Sequence, residues 1–127
     1  EDNGQWALDT QSMVSGNMVA LSYDADELIA MSDVSVHVLN RTGNQFAIRW
    51  REAIPTVGQL KHLGISEDQC FIADTIGNVF VMNRSDGKIK NQIRLRSPVL
   101  APPFRQGEVV MTAETNGLIS GFTLPKR

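Results

Sequence analysis

Apolar and polar residues alternate along much of this chain. Val34, Val36 and Val38 are interleaved with Ser35 and His37, which is the two-residue period of a pleated strand; a helix would space its apolar positions by three and four. Val79, Phe80, Val81 and Met82 are apolar on both faces, which predicts a strand covered from two sides. In KIKNQIRLR, residues 88–96, Lys88, Lys90, Gln92, Arg94 and Arg96 fall on one face, while Ile89, Ile93 and Leu95 fall on the other. That pattern predicts an outer strand with a charged face that discourages edge pairing. With Arg84 added, these five basic residues read as a solvated face, with a binding patch as the alternative. Turn chemistry separates the strands: RTGN at 41–44, SEDQ at 66–69, TIGN at 75–78, SDG at 85–87, RQGE at 105–108 and TNG at 115–117. These turns supply Gly, Asn and Asp, which tolerate positive φ. Pro55, Pro98, Pro102 and Pro103 lie between the strand groups, where they interrupt no ladder. No long amphipathic helix is predicted.

The strand pattern repeats. Ile29, Ala30, Val36, Val38, Asn40 and Arg41 align with Ile72, Ala73, Val79, Val81, Asn83 and Arg84, an offset of 43 residues. Ala73, Asp74, Gly77 and Val79 align in turn with Ala113, Glu114, Gly117 and Ile119, an offset of 40. A period of about 40 to 50 residues filled by strands is that of propeller blades. The expectation is an all-β chain of antiparallel four-stranded blades, about three in number, over residues 18–51, 59–96 and 98–124. The first strand, expected around residues 5–10 within GQWALDT (4–10), has no unit of its own and is expected to complete a blade elsewhere. Three blades fall short of the roughly four needed to close a ring, so the propeller is partial. Trp50 and Trp6 are expected to pack between neighbouring blades.

Composition removes several function classes. The 127 residues, with 12 Lys and Arg against 14 Asp and Glu, carry a net charge of -2, so no basic field is available for nucleic acid. No apolar run approaches the roughly 20 residues of a membrane span, and EDNGQWALDT has no signal-peptide pattern. The lone Cys70 forms neither an intrachain disulfide nor a zinc pair, and QCFIAD suggests a buried thiol. His37 and His62 lie in different units without a partner at metal-ligand spacing. Asp24, Asp26 and Glu27 in SYDADEL lack a calcium-loop core and read as an acidic hairpin turn. No nucleophile elbow and no Gly-rich phosphate loop is present. No catalytic, cofactor-binding or metal residue is assigned.

The stretch IADTIGNVFVMNRSDGKIKNQIRLRSPVLAPPFRQGEVVMTAETNGLISGF resembles the pyrroloquinoline-quinone-like β-propeller repeat family. The shared features are a small-residue strand, a D-x-x-G turn, a strand ending near Asn, a D-G turn, an outer strand, then S-P-V and a G-x-V strand. Within that family it looks like the C-terminal blades of BamB-type lipoproteins, which serve the outer-membrane β-barrel assembly machinery. The correspondence extends upstream to Trp6 and downstream to the last strand.

This resemblance implies a non-catalytic, cofactor-free protein-binding scaffold, read as a C-terminal fragment, at the periplasmic face of the outer membrane of a Gram-negative bacterium. Implied partners are a BamA-like barrel-assembly protein and unfolded outer-membrane proteins, with membrane attachment only through a lipid anchor that this chain does not carry. The connector EAIPTVGQLKH, residues 52–62, and the basic strand are the candidate contact surfaces. Exposed blade faces imply self-association, with exchange of the GQWALD strand as one route. The alternatives are a fragment of a quinone-dependent dehydrogenase, although the vicinal Cys pair typical of those enzymes is missing, or of another propeller interaction protein.

Overall fold

A computed structural model of the chain describes residues 17–43 and 45–123. The strand expected at 5–10, Trp6, Asn44 of the 41–44 turn and residue 124 lie outside the described residues. Within them the chain forms eleven strands and no helix. Blade 1 comprises β1 (Met18–Asp24), β2 (Glu27–Ser32), β3 (Ser35–Thr42) and β4 (Gln45–Ala53). Blade 2 comprises β5 (Leu60–Ile65), β6 (Gln69–Asp74), β7 (Asn78–Asn83) and β8 (Ile89–Arg94). Blade 3 comprises β9 (Phe104–Gln106), β10 (Val109–Ala113) and β11 (Ile119–Thr123). Neighbouring strands in every blade pair antiparallel in chain order. Val34 belongs to the turn before β3 and is exposed.

Blade 2 is the middle layer, which explains its two-sided apolar strands. Cys70, Ile72, Phe80 and Met82 point back toward blade 1 and meet Ile29, Met31, Val36 and Val38. Ala73 and Val79 point forward and join Leu95, Val99 and Phe122. Phe71 and Val81 also point forward, and meet Val110 of blade 3. Each such fully buried side chain contributes about 1.5–3 kcal/mol relative to exposure. These two layers of apolar contact, one on each side of blade 2, are the main source of cohesion between the sheets.

The faces also correct the repeat alignment. Ile29 faces forward from blade 1 while Ile72 faces back from blade 2, so the two are packed against each other and do not occupy equivalent positions. The offset of 43 holds for β3 and β7, where Val36 and Val38 correspond to Val79 and Val81. Between β2 and β6 it is 42, because the loop after β2 is one residue shorter than the loop after β6. A one-residue slip turns every side chain to the other face. The backbone confirms the corrected correspondence: Asp33 donates to Asn17 O at 3.0 Å, Thr75 to Gln59 O at 2.8 Å and Thr115 to Pro98 O at 2.9 Å, the same tie in each blade.

Side chains at the same corner fasten the following turn in blades 1 and 2 and the incoming connector in blades 2 and 3. The hydroxyl of Ser32 accepts from the amides of Val34 and Ser35. At the matching position, Asp74 accepts from the amides of Ile76 and Asn78, from the Asn78 side chain, and from Thr56 Oγ1 at 2.6 Å. Glu114 in blade 3 accepts from the amides of Arg96 and Ser97. Blades 2 and 3 approach closely at Gly64 of β5, where a Cβ would overlap the carbonyl oxygen of Pro103. Gly64→Ala is therefore expected to force the two blades apart and to cost about 1–3 kcal/mol, measured as a lowered urea midpoint. Gly43→Ala serves as the control for strain without crowding, since its φ is +63 but nothing lies within 4 Å of an added Cβ.

Candidate functional site at the seam between blades

The densest polar cluster among the described residues lies where blade 2 meets the first hairpin of blade 1. The β1–β2 turn places Ala25 and Asp26 at φ 52 and φ 64, the paired left-handed conformation of a tight hairpin that Gly and Asn adopt most easily. Tyr23 braces it by donating to Asp26 Oδ1 at 2.9 Å. The turn thus presents Asp24 and Glu27 toward blade 2. Arg84, just after β7, fills the gap between them: its Nε donates to Glu27 Oε1 at 2.9 Å, and its Nη1 to Asp24 Oδ2 at 2.8 Å and to Ser66 O at 2.9 Å. Its Nη2 donates to Asp24 O at 2.8 Å.

Arg84 is buried, with a side chain only 6% exposed. Its inclusion in a solvated basic face is corrected here, because position 84 faces blade 1 and its charge is answered by carboxylates one blade back. Burial works against its positive charge, but the hydrogen bonds and charges of Asp24 and Glu27 outweigh that and raise its pKa. The remaining basic residues behave as expected: Lys88, Lys90, Arg94 and Arg96 are exposed, although Arg94 also donates to Asn78 Oδ1 at 3.0 Å.

Arg49 extends the cluster. A bulge in β4 opposite Val38 and Leu39 takes Arg49 out of the cross-strand register, so it turns to pair with Glu27 and to donate to Ser85 O at 2.8 Å. The next residue, Trp50, behaves as its position in the repeat predicts. Its Nε1 donates to Arg84 O at 2.8 Å, and its ring lies over Gly87, where a Cβ would come within 2.6 Å of the ring. Glu27, Arg49, Glu67, Asp68, Arg84 and Ser85 line a shallow cleft of about 290 Å³ at this rim. Blade 3 repeats the grip: Arg105 donates to Asp68 Oδ1 at 3.2 Å and to Gln69 Oε1 at 2.9 Å.

The other candidate residues are dispersed. Cys70 is buried in the seam between blades 1 and 2, and burial, opposed by the charge of Arg84 and helped by that of Glu27, pushes its thiol up to about 11. His37 sits on β3 with Nε2 at 2.8 Å from Ser35 Oγ and with Nδ1 buried and unpartnered; burial and then the charge of Arg51 lower its pKa. His62 is on β5, with its pKa lowered by burial and then by Lys61. Among the described residues no group of three His, Cys, Asp or Glu is arranged to hold a metal. In the connector, Ile54 is buried and Thr56 is held by Asp74, while Val57 is 96% exposed at the tip.

No family model matches the chain, and no curated protein matches it by sequence. Solved structures do match. The structure of BamB from Moraxella catarrhalis superposes with a TM-score of 0.70 at 22% identity, covering 88% of this chain and 35% of that one. The computationally designed Ika8 protein superposes with a TM-score of 0.69 at 14% identity, covering 84% of this chain and 33% of that one. A europium-containing methanol dehydrogenase gives a TM-score of 0.67 at 14% identity, covering 87% of this chain and 22% of that one. The chain spans about a third or less of the length of these structures. At these identities the likeness is one of fold: the chain folds as a partial β-propeller, of the architecture shared by BamB and the methanol dehydrogenase.

Arg84→Met is expected to leave Glu27, whose side chain is 14% exposed, beside a single remaining cation and to destabilise the fold by about 3 kcal/mol. Lys88→Ala on the solvated face should cost under about 0.5 kcal/mol; urea titration of both variants checks the contrast. The acid response should involve Asp74. Burial raises its pKa, but the hydrogen bonds from Thr56, Asn78 and the amides of Asn78 and Ile76 outweigh it and hold the folded value below 3.8. A pKa lowered on folding means that the unfolded chain takes up protons first, so the stabilisation is complete above the unfolded value of about 3.9 and is lost as pH falls through the folded one. The stability gap between the protein and Asp74→Asn, read from urea midpoints against pH, should therefore narrow as the medium becomes more acidic than about pH 4.

Proposed function

We propose that this chain is part of a non-catalytic protein-binding scaffold, a BamB-like component of the outer-membrane β-barrel assembly machinery working on the periplasmic side. The observation that carries the reading is where its polar side chains go. Arg84, Asp24, Glu27 and Asp74 are spent on tying blade to blade and connector to blade, so stiff sheets hold up short turns and the exposed tip of the connector at Val57. Rigid scaffolds that display loops are suited to gripping other chains. The fold likeness to BamB, with the higher identity of the two natural proteins compared, supports the same reading.

On this reading the partners are a BamA-like barrel-assembly protein and unfolded outer-membrane proteins, the latter captured by strand addition at a sheet edge. The net charge of -2 argues against nucleic acid. Attachment to the membrane would run through a lipid anchor outside this sequence.

A second reading, a portion of a quinone-dependent dehydrogenase, has the fold likeness to the methanol dehydrogenase in its favour. One pair of measurements separates them. The scaffold reading expects saturable binding of the immobilised chain to the periplasmic repeats of a barrel-assembly protein, weakened by substitution of Val57, and no dye reduction with quinone, metal ion and an alcohol. Dye reduction above background, or no binding at all, would overturn it.

A further inference from the structure

The two rims of the stack differ in chemistry. Chain order and antiparallel pairing put the β1–β2, β3–β4, β5–β6, β7–β8 and β9–β10 turns at one rim. The β2–β3, β6–β7 and β10–β11 turns and both connectors between blades lie at the other. The first rim is charged, with Asp26, Glu67, Asp68, Asp86 and Lys88 exposed in its turns. The second presents an aliphatic residue from each of its five described loops. Val34 is 52% exposed, Val57 96%, Leu100 67% and Leu118 46%, and Ile76, the middle one in chain order, is half-buried. No large apolar side chain is exposed in the described turns of the charged rim.

Backbone ties join the five loops into one strip. Ile54 donates to Val34 O at 2.9 Å and Leu60 to Asp33 O at 2.7 Å. Thr75 donates to Gln59 O at 2.8 Å and Leu95 to Gly77 O at 2.7 Å, while Leu100 donates to Ala113 O at 2.7 Å and Thr115 to Pro98 O at 2.9 Å. Gly58 lies so near the Ile76 side chain that a Cβ there would come within 3.2 Å of it. The charges of these loops are withdrawn from the strip or lie at its margin: Glu114 is buried on the amides of Arg96 and Ser97, Asp33 is half-buried, and Arg96 is exposed next to β8.

An aliphatic, charge-poor strip is matched by a partner that is itself charge-poor, because a charge buried against it would find no counter-ion. Its form is a line. Packed sheets lie about 10 Å apart, so three blades carry the strip over about 20 Å, the length of roughly six residues of extended chain. A bilayer surface fits less well: Val34, Val57, Ile76, Leu100 and Leu118 bring neither the Lys and Arg clusters that attract anionic headgroups nor the Trp and Tyr of interfacial anchors.

We propose that this rim holds an extended, uncharged, aliphatic-rich polypeptide segment across its five loops. The proposal rests on the scaffold reading above and adds a side-chain contact to strand addition at a sheet edge. Little ordering is required of the loops on binding, since Asp74 and Glu114 already fasten the connectors.

The test uses the full chain and a short, capped, fluorescently labelled peptide alternating leucine and threonine, followed by anisotropy. Val57→Asp and Leu100→Asp place a carboxylate on exposed tips of the strip, and Gln106→Asp places one beside the charged rim; all three are checked for native circular dichroism. Saturable binding is expected, weakened about tenfold by each of the first two substitutions and unchanged by Gln106→Asp. The same peptide with glutamate in place of leucine should not bind. No binding, binding indifferent to Val57→Asp and Leu100→Asp, or equal loss in all three variants would overturn the proposal. So would flotation of the chain with phosphatidylcholine vesicles that Leu100→Asp abolishes, which would assign the rim to a lipid surface. Titration of the same proteins against the periplasmic repeats of a barrel-assembly protein keeps the two readings apart. Repeats that bind where the peptide does not would sink the rim proposal alone, and a peptide that binds where the repeats do not would sink the barrel-assembly reading alone.

Discussion

One buried guanidinium joins the first two blades. Placing Arg84 between two sheets removes its charge from water at a cost of several kcal/mol, and the seam is arranged to offset that cost. Asp24 and Glu27 arrive together on a hairpin whose turn residues are held at positive φ, and the carbonyls of Asp24 and Ser66 each accept a further hydrogen bond from it. The backbone carbonyl of the same arginine receives the indole of Trp50. Position 84 therefore links three elements: the end of β7, the first hairpin of blade 1 and the outermost strand of blade 1.

The apolar layers and the polar ties divide the work. Packing of Ile29, Met31, Val36 and Val38 against Ile72, Phe80 and Met82 supplies cohesion without fixing direction. The directional contacts sit at the edges of that layer. Arg84 and Trp50 fix one rim, and Asp74 with Thr56 pins the connector on the other. Blade 3 is set by a similar pair of devices, Arg105 at the rim and Glu114 on its connector. A stack held in this way at both rims has little freedom to shear.

Strand identity and blade number could be read from the sequence because alternation, turn residues and a 40-to-43-residue period are local properties. Val79, Phe80, Val81 and Met82 announced a doubly covered strand, and the structure covers them from both sides. Trp50 was legible for the same reason, as a large side chain at a repeated station. The register of β2 against β6 was not legible: a loop shortened by one residue leaves the apolar pattern intact while turning Ile29 and Ile72 to opposite faces, and identity of residue type favoured the wrong offset.

Arg84 escaped for a different reason. Beside Lys88, Lys90, Arg94 and Arg96 it belongs to a basic segment, and nothing near it in sequence marks it as buried; its carboxylates lie 57 and 60 residues away. Its alignment with Arg41 was visible and hinted at a station with a role, but the partner at that station belongs to the neighbouring blade. Short-range chemistry thus determined that this chain makes strands, where they turn and how often the unit recurs. Which faces meet, and which charges are buried between them, were decided only when the sheets stacked, because contacts between blades join residues that no local pattern connects.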